Sequence, residues 1–279
     1  MSAEDIRRSL FFKKGLELNI SILGEMNTGK STFINCLCNS SIVPLNGLQP
    51  IDFEIKEYHA ILEEENTKIS LNIMTCAGLI NAIDNSNSID FIVDYYKEQF
   101  EKTLKEESKV NRNPKAKDCR IHATIYFIRP TGKGLREIDI EIMKQISNII
   151  PVISKADLLT AKEVKLNREL IMKDINENEI NIYDFSDSFG DNESLFTEYT
   201  IKNLIPFAII SGMGKKVIDD VEIRVRHVSH GFIKIDDPEH SDFIILKKCL
   251  LGAGPEDLKE STQTYYENYR TEILSRRDC

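Results

Sequence analysis

The chain has no tryptophan, no Cys-x-x-Cys pair and no long apolar run among its 279 residues. Because the longest apolar stretches span only a few residues, we expect no membrane-spanning helix. The first ten residues lack the apolar segment of a secretory signal peptide. The six cysteines are scattered and have no paired histidines, which favours reduced thiols in a cytosolic protein over a disulfide framework or a zinc site.

A surplus of positive charge is also missing. The chain has 36 Lys and Arg residues against 45 Asp and Glu residues, which gives a net charge of −9. Proteins that bind nucleic acid through bulk charge carry the opposite sign, so we expect no nucleic-acid partner. The chain does contain 41% hydrophobic residues. This is enough to form the core of one large α/β domain with additions, or of two small domains.

Short apolar segments alternate with segments of helical periodicity. Most of the apolar segments are rich in β-branched or aromatic residues and too short for helices, and they predict strands at 16–23, 69–74, 121–128, 149–154 and 205–210. This alternation predicts a mainly parallel sheet with helices on both faces. Ligands of such sheets bind at the carboxyl ends of the strands.

The pattern changes beyond residue 216. Apolar and polar residues nearly alternate there, which predicts an antiparallel hairpin added to the parallel sheet. The last residues, from 254 to 279, are polar and predict a closing helix.

The first predicted strand leads into Gly24-x-x-x-x-Gly29-Lys30-Ser31, which matches the phosphate-binding P-loop. In such a loop, glycines let backbone N–H groups face phosphate oxygens, and the following helix adds its dipole. We expect Lys30 to reach the β- and γ-phosphates, Ser31 to ligate Mg²⁺ and Thr32 to contact the α-phosphate. The alternative is a chance match in a loop, but strand, loop and helix follow each other in the order that the motif requires.

The segment from Ser154 to Asp157 reads Ser-Lys-Ala-Asp and follows another predicted strand. The carboxylate of Asp157 can accept hydrogen bonds from N1–H and the exocyclic amine of guanine, whereas adenine offers neither donor in that geometry. Lys155 can lay its aliphatic stem over the purine. The segment therefore predicts GTP or GDP as the ligand. The alternative is that Asp157 caps a helix.

The residues expected to act on the γ-phosphate are altered. Guanine-nucleotide switches carry Asp-x-x-Gly after the strand that follows the P-loop, and this chain has Thr75-Cys76-Ala77-Gly78. Gly78 is retained, but the hydroxyl of Thr75 cannot supply the negative charge that holds a hydrated divalent ion. Leu79 follows, so no glutamine stands there to orient an attacking water. We therefore predict weak or absent hydrolysis.

The chain resembles a septin over nearly its full length. The resemblance rests on "GEMNTGKSTFIN", "DNSNSIDFIVDYYKEQFEKTLKEESKVNR", "YFIRPTGKGLREIDIEIMKQI", "IPVISKADLLTAKE", "HSDFIILKKCLL" and "DLKESTQTYYENYR". It implies a Ras-like P-loop NTPase fold with three layers and a septin-unique C-terminal hairpin and helices. The implied domains are a basic N-terminal segment (1–15), a GTPase domain (16–215), and the septin-unique element with its C-terminal helix (216–279).

Asn27 and Asp52 depart from the septin pattern. Other residues correspond to the part of the septin site that binds the guanine base. Asn27 stands at a position usually held by glycine, which is acceptable because Asn tolerates left-handed backbone angles. Asp52 aligns with the switch threonine of hydrolysing septins, where a carboxylate would repel the γ-phosphate unless it binds the metal directly. Ser211 and Gly212 stand where septins have Gly-Ser, and their backbone amides can face guanine O6. Arg226 matches the arginine that stacks across the base, although spacing alone favours a solvated hairpin charge.

The resemblance also implies contacts with other septins, as a hetero-oligomer joined through nucleotide-side and terminal-helix interfaces. Lys133 replaces a histidine in the loop that meets the neighbouring nucleotide pocket, and Glu163 matches the acidic residue of the following loop. His230 replaces the family tryptophan. No heptad repeat follows the globular part, so the chain resembles septins without a coiled coil, whose terminal helices meet directly.

The N-terminal segment is basic and aromatic. Its charges are Arg7, Arg8, Lys13 and Lys14, which flank Leu10-Phe11-Phe12. Such a segment can bind anionic headgroups, and the resemblance implies phosphoinositides. The alternative is an amphipathic helix at a subunit interface.

Three functions remain open at this stage. The first is a guanine-nucleotide-binding septin subunit with weak or absent hydrolysis, located in the cytoplasm at a septin ring at the division site or at the cell cortex. The second is an active, slow GTPase switch. The third is an interaction module whose nucleotide site is vestigial.

Overall fold

The computed structural model describes residues 15–45, 53–64, 67–80, 85–111, 116–185, 198–218, 220–229 and 231–277. Its central sheet has the strand order β2-β3-β1-β4-β5-β6. These strands are β1 (Leu16–Gly24), β2 (Glu54–Glu64), β3 (Thr67–Ala77), β4 (Ala123–Ile128), β5 (Ile149–Ile153) and β6 (Phe207–Ala208). β2 pairs with β3 in antiparallel fashion, and all other neighbours pair in parallel. The predicted α/β fold with a mainly parallel sheet is confirmed.

Helices connect the strands and close the chain. They are α1 (Lys30–Leu37), α2 (Ser86–Glu107), α3 (Glu137–Gln145), α4 (Ala161–Glu177), α5 (Glu198–Leu204), α6 (Phe243–Lys248) and α7 (Pro255–Arg277). A 3₁₀ turn at Ala156–Leu158 follows β5, and a π-helical turn at Cys249–Ala253 links α6 to α7. Among the described residues, none of the helices combines the length and the apolarity needed to cross a bilayer.

A second sheet follows the central one. It contains β7 (Gly214–Ile218), β8 (Val221–Val228) and β9 (Gly231–Lys234), all antiparallel. The sequence predicted a hairpin beyond residue 216, whereas the structure has three strands and begins the sheet at Gly214, which pairs with Val225. The expected domain boundary at residue 216 therefore falls inside β7.

β2 is the strand that the apolar segments did not predict. Its sequence, EIKEYHAILEE, exposes Glu57, His59, Ile61 and Glu63 while burying Ala60 and Leu62. It lies at the edge of the sheet, where one face meets water and only a few apolar residues are needed. Its antiparallel pairing with β3 extends β3 beyond the predicted segment 69–74 to residues 67–77.

The inner strands are buried on both faces. Alternate residues of β4 belong to different core clusters: Ile125 and Phe127 to one, Tyr126 and Ile128 to the other. Strands that are covered by helices on both faces have nearly continuous apolar sequences. This explains why the apolar segment 121–128 predicted β4. The fully buried hydroxyl of Tyr126 donates to Asp139 Oδ1 at 2.7 Å, so its polar group is satisfied within the core.

Helix α7 contacts the ends where β4 and β5 begin. Asn148 Nδ2 donates to the carbonyl of His122 at 3.1 Å and to Thr262 Oγ1 at 3.0 Å. Ser261 Oγ donates to Asn148 Oδ1 at 2.6 Å. His122 and Asn148 precede the parallel strands β4 and β5. The terminal helix therefore lies at the amino ends of these strands, whereas the P-loop follows the carboxyl end of β1.

Asn35 fixes the segment that follows α1. Its side chain is fully buried; Oδ1 accepts from the backbone N–H groups of Ile42 and Val43 at 2.9 and 2.8 Å, and Nδ2 donates to the Val43 carbonyl at 2.8 Å. No other residue type of this size supplies both an acceptor and two donors here.

We expect Asn35→Ala to lower the free energy of unfolding by roughly 2–4 kcal/mol, because backbone groups of Ile42 and Val43 lose their partners in a buried place. Urea denaturation measures this loss. Asn181→Ala is the matched control, since exposed Asn181 makes one side-chain bond, to Tyr265, and should change stability by no more than about 0.5 kcal/mol. Equal losses for the two variants would contradict the assignment.

Candidate nucleotide-binding site

The P-loop runs from the end of β1 to the start of α1 with an unusual backbone. Gly24, Asn27 and Gly29 have φ values of 135°, 63° and 94°. Asn27 thus adopts a left-handed conformation, which Asn tolerates better than most residues. Ser31 and Thr32 lie in the first turn of α1, where backbone N–H groups lack helical partners and favour anions.

Lys30 points back into the loop that precedes it. Its Nζ donates to the carbonyls of Gly24 and Glu25, both at 2.7 Å, and its exposed fraction is 9%. Burial lowers the pKa of Lys30, although the nearby Cys76 and Glu25 act in the opposite direction. The ammonium group of Lys30 is therefore enclosed by the loop and hydrogen-bonded to two carbonyls of that loop.

The side chain of Glu25 faces two arginines. Its carboxylate lies 3.0 Å from Arg129 Nη2 and 2.9 Å from Arg136 Nη1. Arg136 Nε in turn donates to buried Asp139 at 2.8 Å. This network connects the P-loop to the end of β4 and the start of α3, and it occupies the carboxylate of Glu25.

Asp157, Ser211 and Arg226 come together from three separate segments. Asp157 Oδ2 accepts from Arg226 Nε at 2.8 Å, and Arg226 Nη1 donates to the Ser211 carbonyl at 3.0 Å. The Asp157 side chain is 3% exposed. Its Oδ1 atom is buried and has no hydrogen-bond partner among the described residues. Such an orphaned acceptor is uncommon in a folded protein and fits a donor supplied by a ligand.

Two alternatives from the sequence are now excluded. Asp157 does not cap a helix, because its side chain bonds to Arg226 and Thr160 caps α4. Arg226 is not a freely solvated charge, because its side chain is only 32% exposed and holds two partners. Lys155, which precedes the 3₁₀ turn, has a left-handed backbone with φ 50°. Gly212 lies against β8, where an added Cβ would be 3.1 Å from the Val225 carbonyl.

Thr75 bonds across the sheet. It lies opposite Ile22 in the β1–β3 register, and its Oγ1 donates to the Ile22 carbonyl at 2.9 Å. The side chain is buried, with 8% exposed. Its neighbour Cys76 is also buried, and burial raises the pKa of that thiol to about 11. Gly78 follows the end of β3 with φ 76°.

Lys133 lies at the exposed tip of a loop that α4 anchors. The Gly132 N–H donates to Asn167 Oδ1 at 3.0 Å, and the Leu135 N–H donates to Asp174 Oδ2 at 2.7 Å. The ammonium group of Lys133 is therefore presented on a fixed backbone.

Glu163 lies in the first turn of α4, where it forms a capping box with Thr160. The backbone N–H and the hydroxyl of Thr160 donate to Glu163 Oε2 at 2.7 and 2.8 Å. These bonds lower the pKa of Glu163. One of its two carboxylate oxygens is therefore engaged within its own helix.

Some predicted residues lie outside the described part of the chain. These are Arg7, Arg8, Lys13, Lys14, Asp52 and His230. The sequence did not indicate the arginine partners of Glu25 or the pairing of Arg226 with Asp157. The 69 residues that separate Arg226 from Asp157 leave no local spacing from which the pair could be inferred.

Comparisons with known proteins match most of the length of the chain. A family model described as Septin matches residues 14–279. Cell division control protein 11 of Saccharomyces cerevisiae is 41% identical, over 97% of this chain and 69% of that protein. Septin homolog spn3 of Schizosaccharomyces pombe is 39% identical, over 94% of this chain and 74% of that protein. The crystal structure of Cdc11 from Saccharomyces cerevisiae aligns with a TM-score of 0.59 and 33% identity, covering 92% of this chain and 100% of that one.

The two P-loop glycines provide a matched test of the backbone. A Cβ on Gly24 would lie 2.5 Å from the Phe127 carbonyl oxygen, whereas a Cβ on Gly29 would meet nothing within 4 Å. Both positions have positive φ, a backbone conformation that strains alanine at each of them. We expect Gly24→Ala to cost about 1–3 kcal/mol more than Gly29→Ala, because only it overpacks. Urea denaturation of nucleotide-free protein measures both; equal costs would refute the close approach of β1 to β4.

Proposed function

This chain belongs to the septin family, and from that membership we propose that it is a guanine-nucleotide-binding subunit of septin hetero-oligomers and filaments. The family match over residues 14–279 supports the proposal. A relative named for control of cell division supports a place in a septin ring at the division site or cell cortex. In this proposal the chain acts from the cytoplasm. The basic residues Arg7, Arg8, Lys13 and Lys14 would contact anionic phosphoinositides there.

The single observation that carries nucleotide binding is the open oxygen of Asp157. A buried acceptor without a partner costs free energy unless a donor reaches it. Guanine presents two N–H donors on one edge, N1–H and the 2-amino group, and a carboxylate can accept both. The P-loop lies at the same sheet edge, because β1 and β5 are parallel strands that both end there. The two motifs therefore face a common ligand.

Each of these residues has a proposed task. The P-loop backbone and the first turn of α1 would bind phosphate oxygens, Lys155 would cover the base, and Ser211 and Gly212 would contact guanine O6. The full proposed set is Gly24, Asn27, Gly29, Lys30, Ser31, Thr32, Gly78, Lys155, Asp157, Glu163, Ser211, Gly212 and Arg226. Mg²⁺, when bound, would neutralise phosphate charge, and Ser31 is its proposed protein ligand.

The arrangement around Thr75 supports slow or absent hydrolysis. The hydroxyl hydrogen of Thr75 is committed to the Ile22 carbonyl, and a hydroxyl carries no charge to hold a hydrated metal. The nearby carboxylate of Glu25 is paired with Arg129 and Arg136, so it cannot take that role without breaking two ion pairs. The nucleotide would then act as a structural part of an interface between subunits, with Lys133 presented to the neighbouring pocket. A slow GTPase switch remains the second candidate, supported by the complete phosphate loop.

We expect purified protein to bind GDP at least on the order of a hundredfold more tightly than ADP. Adenine lacks the N–H donors of guanine in that geometry, so it would leave the carboxylate of Asp157 unpaired. Isothermal titration calorimetry measures both affinities. Asp157→Ala should lose roughly a hundredfold in GDP affinity, since it removes charge-assisted hydrogen bonds. Glu239 is exposed, so Glu239→Ala serves as the control and should bind GDP with the affinity of the unaltered chain. No binding of GDP or GTP to the unaltered chain would leave only the interaction-module function.

Hydrolysis provides a second test. We expect single-turnover hydrolysis of GTP to be slow in the unaltered chain and faster in the double variant Thr75→Asp with Asp52→Thr. Each recovered ~1.4 kcal/mol of transition-state stabilisation gives about a tenfold rise in rate. Thr75→Val is the matched control, because it also removes the bond to Ile22 but adds no charge. Hydrolysis by the unaltered chain at a rate comparable to that of competent septins, or no gain in the double variant, would favour the slow-switch alternative.

A further inference from the structure

Glu25, the second residue of the P-loop motif, is held at both its backbone and its side chain. Its carbonyl accepts from Lys30 Nζ at 2.7 Å and from Thr28 Oγ1 at 2.8 Å. Its carboxylate lies 3.0 Å from Arg129 Nη2 and 2.9 Å from Arg136 Nη1. Only 16% of the Glu25 side chain is exposed. The contacts from several directions therefore fix this residue within the loop.

The two arginines differ in how firmly they are held. Half of the Arg129 side chain is exposed, whereas Arg136 is anchored to the core. The Nε and Nη2 atoms of Arg136 donate to Asp139 Oδ2 and Oδ1 at 2.8 and 3.1 Å. Asp139 is 2% exposed, and its Oδ1 atom also accepts from the buried hydroxyl of Tyr126. The fork of the guanidinium thus faces Asp139, and this orientation directs Nη1 to Glu25.

Glu25 places a negative charge in a loop that is proposed to bind phosphates. Backbone N–H groups of such a loop attract anions, and an unpaired carboxylate beside them would repel anions. The charge of Glu25 acts on the lysine of the loop: burial lowers the pKa of Lys30, and the nearby Cys76 and Glu25 oppose this shift. Because Arg136 supplies a positive charge 2.9 Å from the carboxylate, the charge of Glu25 is neutralised within the protein.

We propose that Arg136 is a positioning residue for phosphate binding, which acts through Glu25. By pairing with the carboxylate, Arg136 neutralises a charge that would oppose phosphates and fixes the second residue of the motif. This inference rests on the proposed nucleotide-binding function and adds to it a residue from outside the P-loop. Arg136 follows Glu25 by 111 residues, so the motif itself does not contain it.

A matched arginine lies at the other end of β4. Arg120 precedes this strand, and its Nε and Nη2 atoms donate to Asp118 Oδ1 and Oδ2 at 2.9 and 2.8 Å. This pair has the same forked geometry as the pair of Arg136 with Asp139. Arg120→Met therefore removes the same charge and a similar fork as Arg136→Met, but it changes no partner of Glu25.

The test compares the affinities of the nucleotide-stripped full chain for GDP and for GMP, each measured by competition with fluorescent N-methylanthraniloyl GDP. GDP has one phosphate more than GMP, so the ratio of the two affinities reports how well the loop binds that phosphate. We expect Arg136→Met to lower this ratio by about tenfold relative to Arg120→Met and to the unaltered chain, the scale seen when a side chain that orients a binding group is removed. A general loss of folded protein would lower both affinities together and leave the ratio unchanged.

The double variant Arg136→Met with Glu25→Gln tests whether the arginine acts through Glu25. Glutamine carries no charge to oppose phosphates, and its amide oxygen can still accept from Arg129. We therefore expect the double variant to recover most of the lost ratio. Arg136→Gln, which can still donate to Asp139, replaces Arg136→Met in both proteins if that variant does not fold.

The outcomes separate this inference from the proposed function. A GDP-to-GMP ratio of Arg136→Met that equals the ratio of Arg120→Met overturns the positioning role and leaves nucleotide binding intact. A lowered ratio that Glu25→Gln does not restore also overturns the positioning role, because Arg136 then does not act through Glu25. An absence of GDP binding by the unaltered chain overturns nucleotide binding itself, and the positioning role with it.

Discussion

The pairing of β1 with β3 on one side and β4 on the other brings the P-loop, Thr75 and the segment of Asp157 to one edge of the sheet. Gly24 ends β1 beside Phe127, at a distance that leaves no room for a side chain, and the P-loop begins there. Because β3, β4 and β5 run parallel to β1, Thr75 and Asp157 reach the same edge of the sheet. Motifs that are up to about 130 residues apart in the sequence become neighbours through backbone hydrogen bonds alone.

Thr75 joins two central strands close to the P-loop. Its hydroxyl donates to the carbonyl of Ile22 on the neighbouring strand β1. The interaction joins β1 to β3 just below the P-loop, at a place where a carboxylate would face that carbonyl instead. The hydroxyl of Thr75 thus supports the sheet. In the proposed function, it also leaves the metal position without the charge of a carboxylate.

Elements whose interactions are local could be predicted from the sequence. The apolar runs predicted β1 and β5 nearly to the residue, because both strands are buried on each face. These runs did not predict β2, whose outward side chains are mostly polar or charged. The sequence placed Asp157 and Arg226 in separate motifs but did not indicate their ion pair, since the approach of β8 to the 3₁₀ turn depends on tertiary packing.

The anchoring of α7 by Asn148 has a mechanical consequence. The helix lies where β4 and β5 begin, and the proposed nucleotide site lies where they end, so a filament joined through both edges, as proposed above, would be pulled along these strands. β4 has six residues, which corresponds to about 20 Å of extended chain. Tension would load the neighbouring hydrogen bonds of β1, β4 and β5 in shear, so that they resist together instead of opening one at a time. The sheet would then serve as a short, stiff element within the proposed polymer.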